Sequence, residues 1–197
     1  MSQKDLNSPI ELPLETSRTR LRRIELGDFD RLLAIYGDEE SSKYDFYGPF
    51  GASDIEQIIL SQSEIYIGDP GVPFYLAVEQ HESGELIGII TLVIENPVDR
   101  QGSIGFVFDP AYQGQGFASE AANAALRFAF LQLEQHRIIA ACDTRNQRSW
   151  KLMERLGMRR EAHFVHDGYD EDEGTWTDSF IYAMLDEEWR PIESSGF

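Results

Sequence analysis

A glycine-rich connection between a predicted strand and a predicted helix has the residue types and spacing to bind an anion. The strand-like run is GSIGFVF, and the connection DPAYQGQGFASEA follows it at residues 109–121. Gly114 and Gly116 can adopt backbone conformations that other residues avoid, so several N–H groups can converge on one point at the helix start. Such a point binds phosphates above all. A tight turn that merely needs two glycines is the alternative, and the stretch alone leaves both interpretations open.

Two familiar nucleotide-binding loops do not fit this connection. A P-loop requires G-x-x-x-x-G-K-[ST], and no lysine follows either glycine at the required distance. A dinucleotide-binding fingerprint requires a third glycine three residues after Gly116, where Ser119 stands. If the loop binds a phosphate group, it therefore belongs to a different class.

The segments around the loop predict one mixed α+β domain with a largely antiparallel sheet. Runs rich in β-branched and aromatic residues predict strands. They are residues 18–26, 73–80, 85–95, 102–110 and 136–142, with two more strands around an acidic loop within 158–185. Apolar residues spaced three and four apart predict helices. These cover residues 29–40, 53–66, 118–133 and 146–157.

Local signals set the ends of these predicted helices. Asp28 is a candidate N-cap for the first helix, and Ser53 with Glu56 three residues later matches a capping box for the second. Gly157 stands where a C-cap glycine belongs, at the end of the last helix.

The composition fits one soluble domain in a reducing compartment. The 197 residues can build a core without disulfides, and Cys142 is the only cysteine. The longest apolar run, at 86–94, is too short to span a membrane, and the N-terminus lacks a secretion signal. We therefore expect a cytoplasmic protein with a flexible segment at 1–16, one domain at 17–190 and a tail at 191–197.

The charge balance argues against nucleic acid as a partner. The chain carries 17 basic and 35 acidic residues, for a net charge of −18. Non-specific nucleic-acid binding depends on neutralising phosphates with Lys and Arg, so we expect no nucleic-acid partner. The lack of a run long enough to span a membrane goes with the expectation of no membrane partner. The basic residues concentrate at 145–160. That run either adds positive potential near a bound phosphate group or forms a solvated helix face.

The loop also matches the pattern Q/R-x-x-G-x-G/A, filled here by residues 113–118. On this pattern the sequence resembles the GNAT N-acetyltransferase superfamily, and within it the ribosomal-protein alanine N-acetyltransferase (Rim-type) branch. The resemblance covers roughly residues 17–190. The segments that carry it are TSRTRLRRI, LIGIITL, GSIGFVFDPAYQGQGFASEA, NQRSWKLMERLGM and the EW at 188–189.

The resemblance implies acetyl-CoA as cosubstrate and no metal. It implies a V-shaped splay between two central parallel strands, where the pantetheine arm would pair with the strand at 104–109. The residues that would bind the cofactor are Phe106, Val107, Phe108, Gln113, Gly114, Gln115, Gly116, Phe117, Ala118, Ser119 and Asn146.

The resemblance also suggests which groups carry out the transfer. Many members use a tyrosine seven residues after the asparagine matched by Asn146, but Met153 stands there. The Rim-type branch has a serine three residues after it, and Ser149 fills that position as the predicted proton donor to the departing thiolate. A backbone N–H at a bulge in strand 104–109, at Phe106 or Val107, would polarise the thioester. The candidate general bases are His166, Asp167 and Glu95.

The acceptor is predicted to be a primary amine. An α-amine is about a tenth to a fifth neutral at pH 7, whereas lysine is about 0.04% neutral, so a weak base suits an α-amine better. The acidic loop at 167–178 would attract a cationic amine or simply solvate a hairpin tip. A polypeptide N-terminus, a polyamine or an aminoglycoside-like molecule fits this prediction. A non-catalytic acyl-CoA-binding module is the remaining alternative, and a homodimer is possible.

Overall fold

An eight-stranded β-sheet runs through the computed structural model, which describes residues 12–38, 43–44, 50–62 and 65–190. The strands are β1 (Leu14–Glu15), β2 (Thr19–Arg23), β3 (Phe74–Gln80), β4 (Leu86–Asn96), β5 (Gln101–Phe108), β6 (Arg137–Asp143), β7 (Arg159–Asp170) and β8 (Thr175–Leu185). The α-helices of these residues are α1 (Phe29–Tyr36), α2 (Ala52–Gln62), α3 (Phe117–Leu131) and α4 (Gln147–Arg155). The predicted mixed α+β class is confirmed.

The strands lie in the order β1-β2-β3-β4-β5-β6-β8-β7. Neighbouring strands pair antiparallel, except that β5 and β6 run parallel. This parallel pairing extends only from Gln101↔Arg137 to Ser103↔Ile139. Because the rest of β5 and β6 does not pair, the two strands diverge toward their carboxyl ends. The predicted V-shaped splay is therefore present, and it opens where α3 and α4 begin.

Helices cover both faces of the sheet. On one face, buried residues of α3 and α4 pack with alternate sheet residues such as Leu76, Ile90 and Phe108. On the other face, buried residues of α1 and α2 pack against Ala77 and Ile89. Alternation along each strand places successive side chains on opposite faces, so both helix layers share the same central strands. The β5–β6 opening thus lies between two packed helix layers.

The N-terminal boundary differs in part from the prediction. Within the segment predicted to be flexible, Leu14 pairs with Leu21 of β2 and Glu15 pairs with Arg20. Residues 1–11 and the predicted tail at 191–197 lie outside the described residues. The outer limits of the domain therefore stay predictions.

Two predicted helix caps are wrong in detail. Helix α2 begins at Ala52, and the Gly51 N–H donates to Asp54 Oδ2 at 2.8 Å, so the capping contact lies two residues before the predicted one. The Asp28 side chain makes no cap bond to α1. Instead, both its oxygens accept from Arg22 at 2.8 Å, because an ion pair better satisfies a carboxylate in this buried position. Gly157 does follow α4 with φ +87°, as predicted.

None of the helices within the described residues is long and apolar enough to cross a membrane. The predicted cytoplasmic location stays a prediction.

Candidate active site

The glycine loop has the geometry of an anion-binding helix start. Gly114 and Gly116 have φ values of +74° and +85°, in the left-handed region that favours glycine. Gly116 is the N-cap residue of α3, and no side chain caps the helix there. The first backbone N–H groups of a helix have no partner within the helix, so they face the loop. The glycines therefore make a tight turn, and the same turn directs these N–H groups to one side, so the two interpretations are compatible.

Side chains on either side fix the loop in place. Gln113 Nε2 donates to the Phe108 carbonyl at 2.7 Å, and Gln115 Nε2 donates to the Ala111 carbonyl at 2.9 Å. Gln113 Oε1 is buried, and no described group donates to it. The buried Ser119 hydroxyl accepts from Arg155 Nη1 at 3.1 Å. This contact brings one cation of the basic run at 145–160 to the first turn of α3.

A carboxylate ties the start of α3 to the N-terminal strands, a contact that the sequence analysis missed. Glu120 Oε1 accepts from Thr16 Oγ1 at 2.6 Å and from the Arg18 N–H at 2.7 Å, and Oε2 accepts from Arg18 Nε at 2.8 Å. Burial works to raise the pKa of Glu120, but these donors outweigh it and lower the pKa. Glu120 therefore stays charged and anchors the first turn.

The backbone of β5 turns alternate N–H groups toward the cleft, and that of Phe106 is among them. The Asp109 N–H donates to the Ile87 carbonyl at 3.0 Å, and hydrogen-bonded pairs alternate along antiparallel strands. Val107 therefore bonds to β4, whereas the Phe106 N–H faces β6. The pairing of β5 with β6 has already ended at Ser103. Phe108 faces the same side, and its carbonyl accepts from Gln113 Nε2. Phe106 therefore lies on the cleft-facing side of β5, beyond the end of the pairing with β6.

The predicted bulge in strand 104–109 is wrong. The register of β5 with β4 is continuous from Gly88↔Phe108 to Ile94↔Gly102, and the irregularity lies between Ile94 and Asn96. The Phe106 N–H faces the opening without any bulge, because β6 has already diverged from β5 at that point.

The first turn of α4 holds Asn146 and Ser149 together. The Asn146 side chain is the N-cap and accepts from the Ser149 N–H at 3.0 Å. The Ser149 side chain lies near the buried thiol of Cys142, close to the end of β6. Burial raises the pKa of Cys142 to about 11, although the Ser149 side chain works to lower it. The thiol is therefore protonated at neutral pH and is not a nucleophile.

The hydrogen bonds of the three candidate bases go to residues outside this turn. Glu95 is exposed at the irregular end of β4 and accepts from Ser103 Oγ at 2.6 Å. That position is level with the paired part of β5 and β6, five residues or about 17 Å along β4 from Ile90, the partner of Phe106.

His166 and Asp167 lie on the outermost strand at the β6 end of the sheet. Both lie on β7, which β8 separates from β6. His166 has φ +55° in an irregular stretch of β7, and its N–H donates to Asp178 Oδ1 at 2.9 Å. Asp167 accepts from Ser179 Oγ at 2.5 Å. None of the three predicted bases is brought beside Ser149 by these contacts.

A family model described as an acetyltransferase (GNAT) domain matches residues 18–159. The chain belongs to the GNAT acetyltransferase family. It is 33% identical over 180 residues to the uncharacterized N-acetyltransferase YnaD of Bacillus subtilis (strain 168), covering 90% of this chain and 99% of the relative. The crystal structure of a GNAT-family acetyltransferase from Bacillus anthracis matches with a TM-score of 0.78 at 29% identity, covering 90% of this chain and 100% of that one.

Two further relatives have named acceptors. The spermidine N(1)-acetyltransferase of Vibrio cholerae serotype O1 (strain ATCC 39315 / El Tor Inaba N16961) is 25% identical over 151 residues, covering 77% of this chain and 84% of the relative. The [ribosomal protein uS5]-alanine N-acetyltransferase of Escherichia coli (strain K12) is 31% identical over 130 residues, covering 61% and 62%. The predicted superfamily is thus confirmed, while the Rim-type similarity extends over a shorter part of the chain.

As a GNAT acetyltransferase, the protein is an acyltransferase that uses acetyl-CoA as its cosubstrate. Its residues fit that molecule. The uncapped start of α3 suits a pyrophosphate, the divergence of β5 and β6 suits a narrow arm, and Gln113 Oε1 is a buried acceptor without a donor. Among the described residues, no group of three or more His, Cys, Asp or Glu side chains is arranged to hold a metal ion.

Proposed function

We propose that this enzyme transfers the acetyl group of acetyl-CoA to a primary amine by direct attack, with both substrates bound at the open end of the β5–β6 cleft. One observation carries the proposal: the left-handed glycine loop at the start of α3 and the first turn of α4 flank the end where β5 and β6 stop pairing. The loop residues 113–119 bind the pyrophosphate through backbone N–H groups. Each such charge-assisted bond contributes about 1.5–3 kcal/mol.

The chain's own groups have separate roles in the proposed transfer. The Phe106 N–H donates to the thioester carbonyl oxygen and stabilises the negative charge that develops there. Asn146 binds the pantetheine arm and, as the N-cap, fixes the first turn of α4. As the new C–N bond forms and the C–S bond breaks, the Ser149 hydroxyl donates its proton to the departing thiolate and is reprotonated by the proton that the nitrogen loses. Because Cys142 is a protonated thiol, these roles support direct attack by the amine over an acyl-cysteine route.

For the acceptor we favour a polypeptide N-terminal α-amine. Among the described residues, no hydrogen bond joins His166, Asp167 or Glu95 to Ser149, and an α-amine needs little help to lose its proton at neutral pH. A polyamine is the second candidate, because Glu171 and Asp172 are exposed at the tip of the β7–β8 hairpin and one relative is a spermidine enzyme. Other acids of that loop already have partners, since Asp170 and Glu173 bind Arg145 and Asp178 binds His163.

Calorimetric titration with acetyl-CoA tests the loop directly. We expect the wild type to bind and Gly116→Glu to weaken binding by at least about tenfold, because a carboxylate replaces an approach point for phosphate oxygens. Gly71→Glu is the matched control, since Gly71 also has a positive φ (+73°) but lies in the turn before β3, where its N–H donates to the Ile94 carbonyl. Equal losses in both variants, or a folded wild type that does not bind, would contradict the proposed cradle.

An acceptor screen then distinguishes the two amine classes. Release of free CoA is measured with alanine-starting peptides and with spermidine at the same concentration. Faster turnover of the peptides supports the α-amine, whereas turnover of spermidine alone replaces it with the polyamine. A homodimer stays a prediction that sedimentation of the same samples checks.

A further inference from the structure

Arg145 joins three carboxylates and one aromatic ring at the open end of the cleft. Its Nη2 donates to Asp143 Oδ2 at 2.8 Å and to Asp170 Oδ2 at 3.0 Å, while Nη1 donates to Glu173 Oε2 at 2.9 Å. The guanidinium carbon lies 5.3 Å from the ring centroid of Tyr44, within range of a cation–π interaction. One side chain thus holds four groups together.

These four groups belong to separate parts of the fold. Asp143 ends β6, Asp170 ends β7, Glu173 lies in the turn before β8, and Tyr44 lies between α1 and α2. Asp143 is only 6% exposed, so the cation is anchored on the sheet side. The Glu173 N–H donates to Asp170 Oδ1 at 2.9 Å, which closes the hairpin turn around the same ion pairs. Backbone N–H donation by Glu173 and the guanidinium of Arg145 lower the pKa of Asp170.

The Arg145 contacts lie beside the opening between β5 and β6, on its β6 side. Asp143 pairs with Ser179, so residues 170–178 of the hairpin extend beyond the carboxyl end of β6. The glycine loop occupies the β5 side of the opening, whereas the hairpin and Tyr44 border its β6 side. Arg145 also immediately precedes Asn146, the N-cap of the turn that carries Ser149. The cation therefore connects the proposed leaving-group turn to the side of the opening left for the amine.

We propose that Arg145 is a positioning residue for the acceptor, which holds the β7–β8 hairpin and Tyr44 as the acceptor-side wall of the cleft. This inference rests on the proposed amine transfer. Without a guanidinium, three neighbouring carboxylates repel one another and the wall separates. A lysine cannot replace it, because one ammonium on a flexible stem does not reach three carboxylates in fixed directions. Binding of acetyl-CoA does not depend on this wall.

Kinetics with the best amine from the acceptor screen test the proposal. We expect Arg145→Gln and Arg145→Lys to raise the KM for the amine at least about tenfold, while the calorimetric Kd for acetyl-CoA stays within about twofold. Arg127→Gln, on the exposed face of α3, is the matched control and is expected to leave both constants unchanged. An unchanged amine KM in both Arg145 variants, or a parallel loss of acetyl-CoA binding, would overturn the proposal.

Hydrogen exchange gives a readout that needs no acceptor. We expect backbone amides of 167–178 to exchange at least about tenfold faster in Arg145→Gln, while those of β3 and β4 are unchanged. The double variant Asp170→Asn/Glu173→Gln removes only the hairpin side of the contact, so it is expected to show the same local change if Arg145→Gln does not fold. Unchanged hairpin exchange in a folded variant contradicts the inference, whereas a wild type that binds acetyl-CoA but acetylates no amine contradicts the proposed function instead.

Discussion

Residue Ser149 is held in place by neighbours that belong to the fold itself. Asn146 accepts from the Ser149 backbone N–H at 3.0 Å, which fixes the residue in the first turn of α4. Burial raises the pKa of the neighbouring Cys142 thiol to about 11, and the Ser149 side chain works to lower it, as a donor to sulfur does. The position of Ser149 is therefore set before any substrate arrives.

For Ser149→Ala we expect kcat to fall about a hundredfold, because general-acid catalysis contributes that order of acceleration. Affinity for acetyl-CoA, measured by calorimetry, should stay within a fewfold of wild type, because Asn146 still caps the helix. Ser61→Ala, on an exposed part of α2, is the control. A kcat that Ser149→Ala leaves unchanged would remove Ser149 from the proposed mechanism.

For single residues, the sequence predicted roles that depend on neighbours in the chain, but not contacts between residues far apart in sequence. Gly114, Gly116 and Asn146 belong to short patterns whose geometry is local, and the structure puts each at the expected turn or cap. The contacts of Glu120 with Thr16 and Arg18 join residues more than a hundred positions apart. No local pattern specifies such a pairing, because it depends on which strand end packs beside α3.

The end of β5 depends on a missing side chain in β4. A Cβ placed on Gly88 would lie 2.4 Å from Cδ1 of Phe108, whose ring is buried. Phe108 also carries the carbonyl that accepts from Gln113. The close packing of glycine under this ring therefore fixes the strand end from which the glycine loop begins.

We expect Gly88→Ala to lower the free energy of unfolding by about 1–3 kcal/mol, as overpacking of a core does. The affinity for acetyl-CoA should fall with it, because displacement of Phe108 moves the loop. In the control Gly105→Ala the new Cβ would lie 3.7 Å from Thr91 Cβ, an ordinary contact. Chemical denaturation and calorimetry check both variants, and equal stability of the two would contradict this account.

Elements were easier to predict than their irregularities. Apolar periodicity found the strands and the helices because burial determines both. The register shifts, such as those at Glu95 in β4 and near His166 in β7, were not predicted, since an extra residue in a strand is defined only against its partner. The expected bulge at Phe106 failed for the same reason.

Across the whole molecule, several carboxylates have a lowered pKa, so acid should unfold the protein. For Glu161, the side-chain hydrogen bond from Arg137 is the main cause, and the pKa falls from 4.5 to about 2. A group with a lowered folded-state pKa stabilises the fold fully above pH 4.5. This contribution disappears as the pH falls from about 4.5 to about 2.

We expect Glu161→Gln to be about 1 kcal/mol less stable than wild type at pH 7, and the difference to vanish near pH 2. Glu171→Gln, at the exposed hairpin tip, should show no such difference. Thermal unfolding between pH 7 and pH 2 measures it. A gap between Glu161→Gln and wild type that widens as the pH falls would have the wrong sign for this explanation.

The irregular shape of β7 also affects the tendency of the protein to aggregate at high concentration. β7 ends the sheet, and a long regular outer strand would offer its backbone groups to a strand from another molecule. The pairing of β7 with β8 shifts register between Arg160 and Ala162 and again between Phe164 and Gly168, where His166 is left-handed, so β7 offers only short regular stretches. Charged or polar side chains, at Arg159, Arg160, Glu161 and His163, also occupy most of its first half. The irregular shape of β7 thus disfavours pairing with a strand of a second molecule, and with it aggregation through this edge.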